Sequence, residues 1–193
     1  MTGKSIKVNA AVSVVMLAAV LIMATALALL LLAVFMRHDP ADFESYITAS
    51  AQKYRVNPNL IRAVIYTESR FNPYAVGAAG ELGLMQVLPS GAVSDYARVH
   101  GIAVPGKKAL LEPGLNIDIG TWYLAAGLHA YRDYDDAVVL ALCRYNAGNS
   151  RARKWAPERP DGDAIANIDI ESTRNYVEKV MKRYEYYRRE AAK

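Results

Sequence analysis

Glu68 stands where a carboxylate is costly. Leu60, Ile61, Val64 and Ile65 recur three and four residues apart ahead of it, and the same spacing carries Glu68 onto their apolar stripe, one helical turn beyond Val64 and Ile65. Removing a carboxylate from water disfavours its charged form and raises its pKa. A glutamic acid held partly protonated near neutrality can give a proton to a leaving group and later take one back, which is general acid and base chemistry in one side chain. Position alone also fits a buried Glu paired with an arginine, the commoner use of such a residue. The nearest further carboxylate, Glu81, lies in a glycine-flanked loop, where a solvated structural role is expected. His38, His100 and His129 are scattered without the paired spacing of a zinc site, so no metal is expected. Cys143 follows Leu140 and Leu142 and reads as a packing residue, and a single cysteine allows no intramolecular disulfide. No glycine-rich phosphate loop is present, and no cofactor is implied.

The elements that must hold these groups read as helices. A first helical pattern spans about Asp42 to Tyr54. Asn57 can cap the next, Pro58 suits its first position, and Asn72-Pro73 stops it. Gly77, Gly80 and Gly83 then punctuate a loop or short twisted hairpin between Pro73 and Pro89. Further helices are expected from Pro89 to His100, Asn116 to Tyr131, Asp136 to Asn146 and Thr173 to Arg189, with Lys107 and Lys108 in a loop. The expectation is an all-α domain of seven or eight packed helices with minimal strand.

Ahead of this domain, Val8 to Met36 contains no charged residue. A helix of that run reaches roughly 43 Å, more than the roughly 30 Å of a hydrocarbon core, and reads as a transmembrane anchor. The expected organisation is residues 1–7 in the cytoplasm, 8–36 as signal anchor, 37–41 as linker and 42–193 as the single globular domain, with Lys4 and Lys7 keeping the N-terminus inside. Small-x-small sites at Ala24 to Ala26 and Ala26 to Ala28 would suit a signal peptidase, but the apolar run continues past them. With two of the 23 basic residues ahead of the run and all 19 acidic ones behind it, the rest carries a net charge near +2. That is too mild for a nucleic-acid binder. Arg174 to Lys193, with seven basic and three acidic residues, reads as a solvated helix face.

Five short motifs in fixed order add a resemblance. Glu68-Ser69-Arg70-Phe71-Asn72-Pro73, Gly83-Leu84-Met85-Gln86, Asn116-Ile117 followed by Gly120, Tyr145-Asn146-Ala147-Gly148 and Thr173-Arg174-Asn175-Tyr176 together resemble the lysozyme-like lytic transglycosylases of bacterial cell walls, the soluble-lytic-transglycosylase domain. The resemblance covers most of the globular part. It implies cleavage of the β-1,4 bond between N-acetylmuramic acid and N-acetylglucosamine without water, leaving a 1,6-anhydromuramyl end. In that scheme Glu68 protonates the glycosidic oxygen, the substrate's N-acetyl group stabilises the developing positive charge, and Glu68 then accepts the proton of the C6 hydroxyl, which is tethered to the carbon it attacks.

The resemblance also implies a substrate site of Ser69, Met85, Gln86, Tyr145, Asn146 and Tyr176, with Tyr176 approaching the catalytic carboxyl group. Ser69 is expected to hold the turn after the helix by a local hydrogen bond, Met85 equally suits core packing, and Asn146 near Gly148 equally suits a helix C-cap. Tyr74, Trp122, Tyr123, Tyr131 and Trp155 are aromatic candidates for stacking on sugar rings, each also suited to packing. Two departures stand out. Relatives often carry serine nine and sometimes eleven positions after the acid, where this chain has Gly77 and Ala79, and Ser172 precedes Thr173-Arg174 where Glu is common. The implied partners are peptidoglycan glycan strands and the membrane, with secretion, conjugation or flagellar machines as open associations, no nucleic acid, and an inner-membrane location with the domain outside the cytoplasm. Two rivals remain: a goose-type muramidase that uses water, and a wall-binding or scaffold protein that keeps the fold without turnover.

Overall fold

The computed structural model describes the backbone of residues 2–35 and 39–193 and the side chains of residues 12–29 and 39–193. Met36, Arg37 and His38, expected as the end of the anchor and the start of the linker, lie outside the described residues. The chain divides into two units, Met1–His38 and Asp39–Lys193. In the first, helix α1 (Thr2–Phe35) contains Val12–Leu29, a window of mean hydropathy 2.7 that is long and apolar enough to cross a membrane.

The second unit is all-α, with a short 3-10 turn (Pro40–Phe43) leading into α2 (Glu44–Tyr54) and α3 (Pro58–Ser69). The Asn57 side chain accepts a hydrogen bond from the Asn59 N–H and Pro58 occupies the first turn, as the sequence predicts. A wide turn (Pro89–Val93) feeds α4 (Ser94–His100), followed by α5 (Lys107–Leu110), α6 (Pro113–Ala130), α7 (Ala137–Ala147), α8 (Asn149–Trp155) and α9 (Glu171–Glu190). Two of these depart from expectation. Lys107 and Lys108 open the one-turn α5 because Leu110 buries itself, and α8 forms on only two buried residues, Ala152 and Trp155. Neither is long enough to show a period.

The core runs through Leu60, Ile61, Val64 and Ile65 of α3, Ile117 and Leu124 of α6, Leu140 and Leu142 of α7, and Val177 and Val180 of α9. Cys143 belongs to it, and burial pushes its thiol up to about 12. Helix α9 packs along α3, and α7 packs against both α6 and α9. Asp118 on α6 accepts from Tyr54 (3.0 Å) and Tyr96 (2.6 Å) and pairs with Lys53 (2.8 Å), joining α2 and α4 to the central helix.

Between α3 and the Pro89 turn the chain makes two isolated antiparallel bridges, Val76 with Leu82 and Leu82 with Val87. This is the short twisted hairpin, too brief for a sheet. Its far end is clasped by Asn116, which is fully buried. The Asn116 Oδ1 accepts from the Met85 N–H (2.8 Å), and Nδ2 donates to the carbonyls of Leu82 (2.8 Å) and Leu110 (2.7 Å). A buried amide with its hydrogen bonds made fixes the loop instead of straining it. One turn along α6, a Cβ at Gly120 would lie 2.6 Å from the Met85 sulfur. Only glycine lets Met85 sink to full burial there.

Candidate active site

The last turn of α3 puts Glu68 at the edge of the core. A cleft of about 340 Å³ opens there, lined by Glu68, Glu81, Gln86, Tyr123, Tyr145 and Asn146, with the Pro89 turn along one side. The Tyr176 hydroxyl, from α9, donates to Glu68 Oε1 at 2.7 Å. Burial raises the Glu68 pKa from 4.5 to about 7. The Tyr176 hydrogen bond pulls it down, and the nearby Glu81 charge pushes it up. Burial and the adjacent Glu68 hold the phenols of Tyr145 and Tyr176 well above their ordinary range, so both remain neutral. With Oε1 engaged by Tyr176, the proton of the neutral carboxyl group belongs on Oε2. A half-protonated carboxyl group at neutral pH is thus presented to a solvent-open cleft.

The backbone around the acid is unusual. Arg70 (φ 55°), Phe71 (φ 62°) and Gln86 (φ 46°) all adopt left-handed conformations, which non-glycine residues rarely take and which gather at functional sites. They reverse the chain directly after Ser69 and lift the Gln86 side chain beside the cleft. The Gln86 Nε2 donates to the carbonyls of Gly83 (2.9 Å) and Ala75 (3.2 Å).

The predicted site residues divide into two groups. Gln86, Tyr145 and Asn146 line the cleft with Glu68, and Tyr176 reaches the acid. Ser69 and Met85 are buried and do not line the cleft: Ser69 makes a local hydrogen bond and Met85 packs, the alternative that the sequence leaves open for each. The Ser69 hydroxyl donates to the Leu84 carbonyl (2.8 Å) and ties α3 to the hairpin. Met85 supplies packing, and its carbonyl accepts from the Tyr145 hydroxyl (2.7 Å). Asn146, exposed at the end of α7, accepts from the Thr173 hydroxyl (2.9 Å), linking two of the motifs.

Of the aromatic candidates, Tyr123 alone lines this cleft. Trp122 packs against Tyr96 and His100, Tyr131 and Trp155 are buried, and Tyr74 is exposed. Sequence reasoning assigned no role to Asn116 or Thr173, although both stand in the quoted motifs, and it set Glu81 aside as solvated. Among the described residues no three His, Cys, Asp or Glu side chains gather as a metal site would require.

The family model described as Transglycosylase SLT domain matches residues 45–168. The chain belongs to this family. The membrane-bound lytic murein transglycosylase C of Actinobacillus succinogenes is 31% identical over 168 residues, covering 75% of this chain and 46% of the relative. The X-ray structure of the lytic transglycosylase Slt of Pseudomonas aeruginosa, an inactive glutamate-to-glutamine mutant, is 28% identical with a TM-score of 0.69 over 79% of this chain and 25% of that one. A 70-kDa soluble lytic transglycosylase in complex with bulgecin A is 25% identical, with a TM-score of 0.68 over 80% of this chain and 25% of that one. The chain spans less than half the length of the curated relatives it matches. In this SLT domain the matched residues run from α2 to just ahead of α9, so the helix that carries Tyr176 follows the matched region.

Proposed function

We propose that the chain is a membrane-associated peptidoglycan lytic transglycosylase that cleaves the N-acetylmuramic acid to N-acetylglucosamine β-1,4 bond without water, with Glu68 as acid and then base. The observation that carries this reading is the Glu68 carboxyl group, held near pKa 7 in an open cleft with one oxygen engaged by Tyr176. Protonated Glu68 gives its proton to the glycosidic oxygen as the C1–O bond breaks, and the leaving sugar departs as an alcohol. The substrate's own N-acetyl group stabilises C1. The resulting Glu68 carboxylate takes the proton of the C6 hydroxyl, whose oxygen closes on C1 to give the 1,6-anhydro ring, and the acid is regenerated. Tethering of that hydroxyl replaces an activated water. Gln86, Tyr123, Tyr145 and Asn146 supply the walls along which the strand lies.

The apolar window Val12–Leu29 supports a single-pass anchor in the inner membrane, with the domain on the far side from Lys4 and Lys7. Confining the activity this way limits it to glycan within reach of the membrane. A muramidase reading has one observation in its favour, the second carboxylate, Glu81, in the same cleft. Mass spectrometry of the fragments that the full-length chain, in detergent, releases from purified peptidoglycan separates the two, with Glu68→Gln as the control. Anhydromuramyl ends, about 18 Da lighter by one water, are expected. Reducing ends would replace this reading with hydrolysis, and unchanged cleavage by Glu68→Gln would remove Glu68 from the mechanism.

A further inference from the structure

The hairpin places a second carboxylate where a side chain on residue 77 would otherwise stand. A Cβ on Gly77 would lie 2.3 Å from Glu81 Oε2 and 2.8 Å from Gln86 Oε1. Gly77 has no left-handed backbone that would demand glycine. The absence of a side chain there lets these two oxygens converge on that volume. Glu81 is held in place locally: its Oε2 accepts from the Ala79 N–H (3.0 Å), and its carbonyl accepts from the Gly77 N–H (2.8 Å). The two bonds that Gln86 Nε2 makes to Gly83 and Ala75 fix the amide's orientation and turn Oε1 the other way. Among the described residues neither Glu81 Oε1 nor Gln86 Oε1 receives a hydrogen bond, although both side chains line the cleft with Glu68.

Of the two converging acceptors, Glu81 Oε2 takes only the Ala79 N–H and Gln86 Oε1 takes no donor among the described residues, and two acceptors side by side and partly removed from water leave hydrogen-bonding capacity unused. They suit a ligand that brings donors. Amino sugars do, through ring hydroxyls and acetamido N–H groups, and a charged acceptor makes the stronger of such hydrogen bonds. We propose that Glu81 is a substrate-positioning residue: its carboxylate, seated where a side chain on residue 77 would stand, forms with Gln86 Oε1 a paired acceptor for an O–H or acetamido N–H of the glycan. The pairing rests on the reading of this cleft as a glycan site. It also accounts for Gly77 and Ala79 without loss of substrate positioning, because Glu81 supplies from position 81 a polar contact that a hydroxyl on residue 77 would make.

The test uses the full-length chain in detergent. Glu81→Ala is expected to raise KM for glycan strands about tenfold while kcat changes less than threefold, and to weaken N-acetylglucosamine tetramer binding about tenfold when added to Glu68→Gln. Adding Gly77→Ser to Glu81→Ala is expected to recover most of the lost affinity, since the hydroxyl enters the vacated volume and only the flexible Gln86 amide must shift. In the presence of Glu81 the same serine is expected to impair binding, by collision with the carboxylate. Glu81→Gln, which keeps an acceptor toward the Ala79 N–H, provides the comparison if Glu81→Ala fails to fold. An unchanged KM and tetramer affinity in a folded Glu81 variant would overturn the proposal, as would a fall in kcat with KM unmoved. If the parent chain released no anhydromuramyl ends yet Glu81→Ala still lost tetramer affinity, the assigned reaction would fall and the paired acceptor would stand.

Discussion

Helices α3 and α9 carry two grooves of opposite character. On one side lies the cleft of about 340 Å³ with Glu68 and Tyr176 at its edge. On the other, Tyr66, Arg70, Lys179, Lys182, Arg183 and Tyr186 line a groove of about 740 Å³. The larger groove is basic and open, and two of its three arginines are spent on ring faces: Arg183 lies 3.6 Å and Arg70 4.4 Å from the centre of the Tyr66 ring. None of the side chains that line it is buried. The smaller cleft has a half-buried acid, a half-buried phenol bonded to it and three left-handed residues in the motifs that frame it. Volume therefore does not mark the chemistry of this fold. A desolvated proton carrier with a fixed partner does.

The comparison breaks most visibly at Glu68. Glu68→Gln is expected to reduce glycan cleavage at least about 10³-fold, the range of a lost general acid, in a turnover assay with purified peptidoglycan. The same change is expected to stabilise the fold. The folded-state pKa, about 7, exceeds the unfolded value of 4.5, so wild type bears a penalty that is absent below pH 4.5, grows between 4.5 and 7, and is full above. Denaturant melts should show Glu68→Gln more stable by up to about 3 kcal/mol at pH 8 and nearly unchanged at pH 4. A flat difference across that range would mean that Glu68 is not desolvated.

Gly120→Ala tests the support beneath the cleft. Forcing a methyl against the Met85 sulfur should cost about 1–3 kcal/mol, read as a lower melting temperature. Tyr176→Phe keeps the ring and removes the bond that lowers the Glu68 pKa. Cleavage is expected to fall about tenfold, and the alkaline limb of the kcat/KM profile, near pH 7 in wild type, should move to higher pH. Movement to lower pH would contradict the assigned sign. At the small end, Lys182→Ala in the basic groove should leave turnover within about twofold and stability within about 0.5 kcal/mol. A loss as large as that of Tyr176→Phe would erase the distinction between the two grooves.

Much of this arrangement can be read from residue spacing, and the exceptions have two causes, partners distant in sequence and elements too short to show a period. The stripe from Leu60 to Ile65 places Glu68 because helical periodicity is local, and the capping residues Asn57 and Pro58 set where the helix begins. The Tyr176 contact was legible only through a motif, since no local rule relates residues 108 apart. Ser69 and Met85 stand in motifs that the resemblance ties to the groove, and spacing does not decide between a groove role and packing. Their burial depends on Leu84, Gly120 and Asn116, which arrive from the hairpin and α6. Glu81 was discounted because glycines flank it, yet the hairpin's two bridges fold its carboxylate back over Gly77. Helices α5 and α8 were missed because one or two turns carry no measurable period.

The distance in sequence between Glu68 and Tyr176 also orders events during synthesis. The acid is made early, together with the helix that carries it, but the hydroxyl that takes up one of its oxygens comes 108 residues later, on α9. Until α9 docks along α3, the flank of α3 that Val177 and Val180 cover stays open to water. A carboxyl group in water has an ordinary pKa and is ionised at neutral pH. A nascent or C-terminally clipped chain thus carries the residue but not the proton, and the acid that the proposed function requires is completed only by the last helix to leave the ribosome among those described.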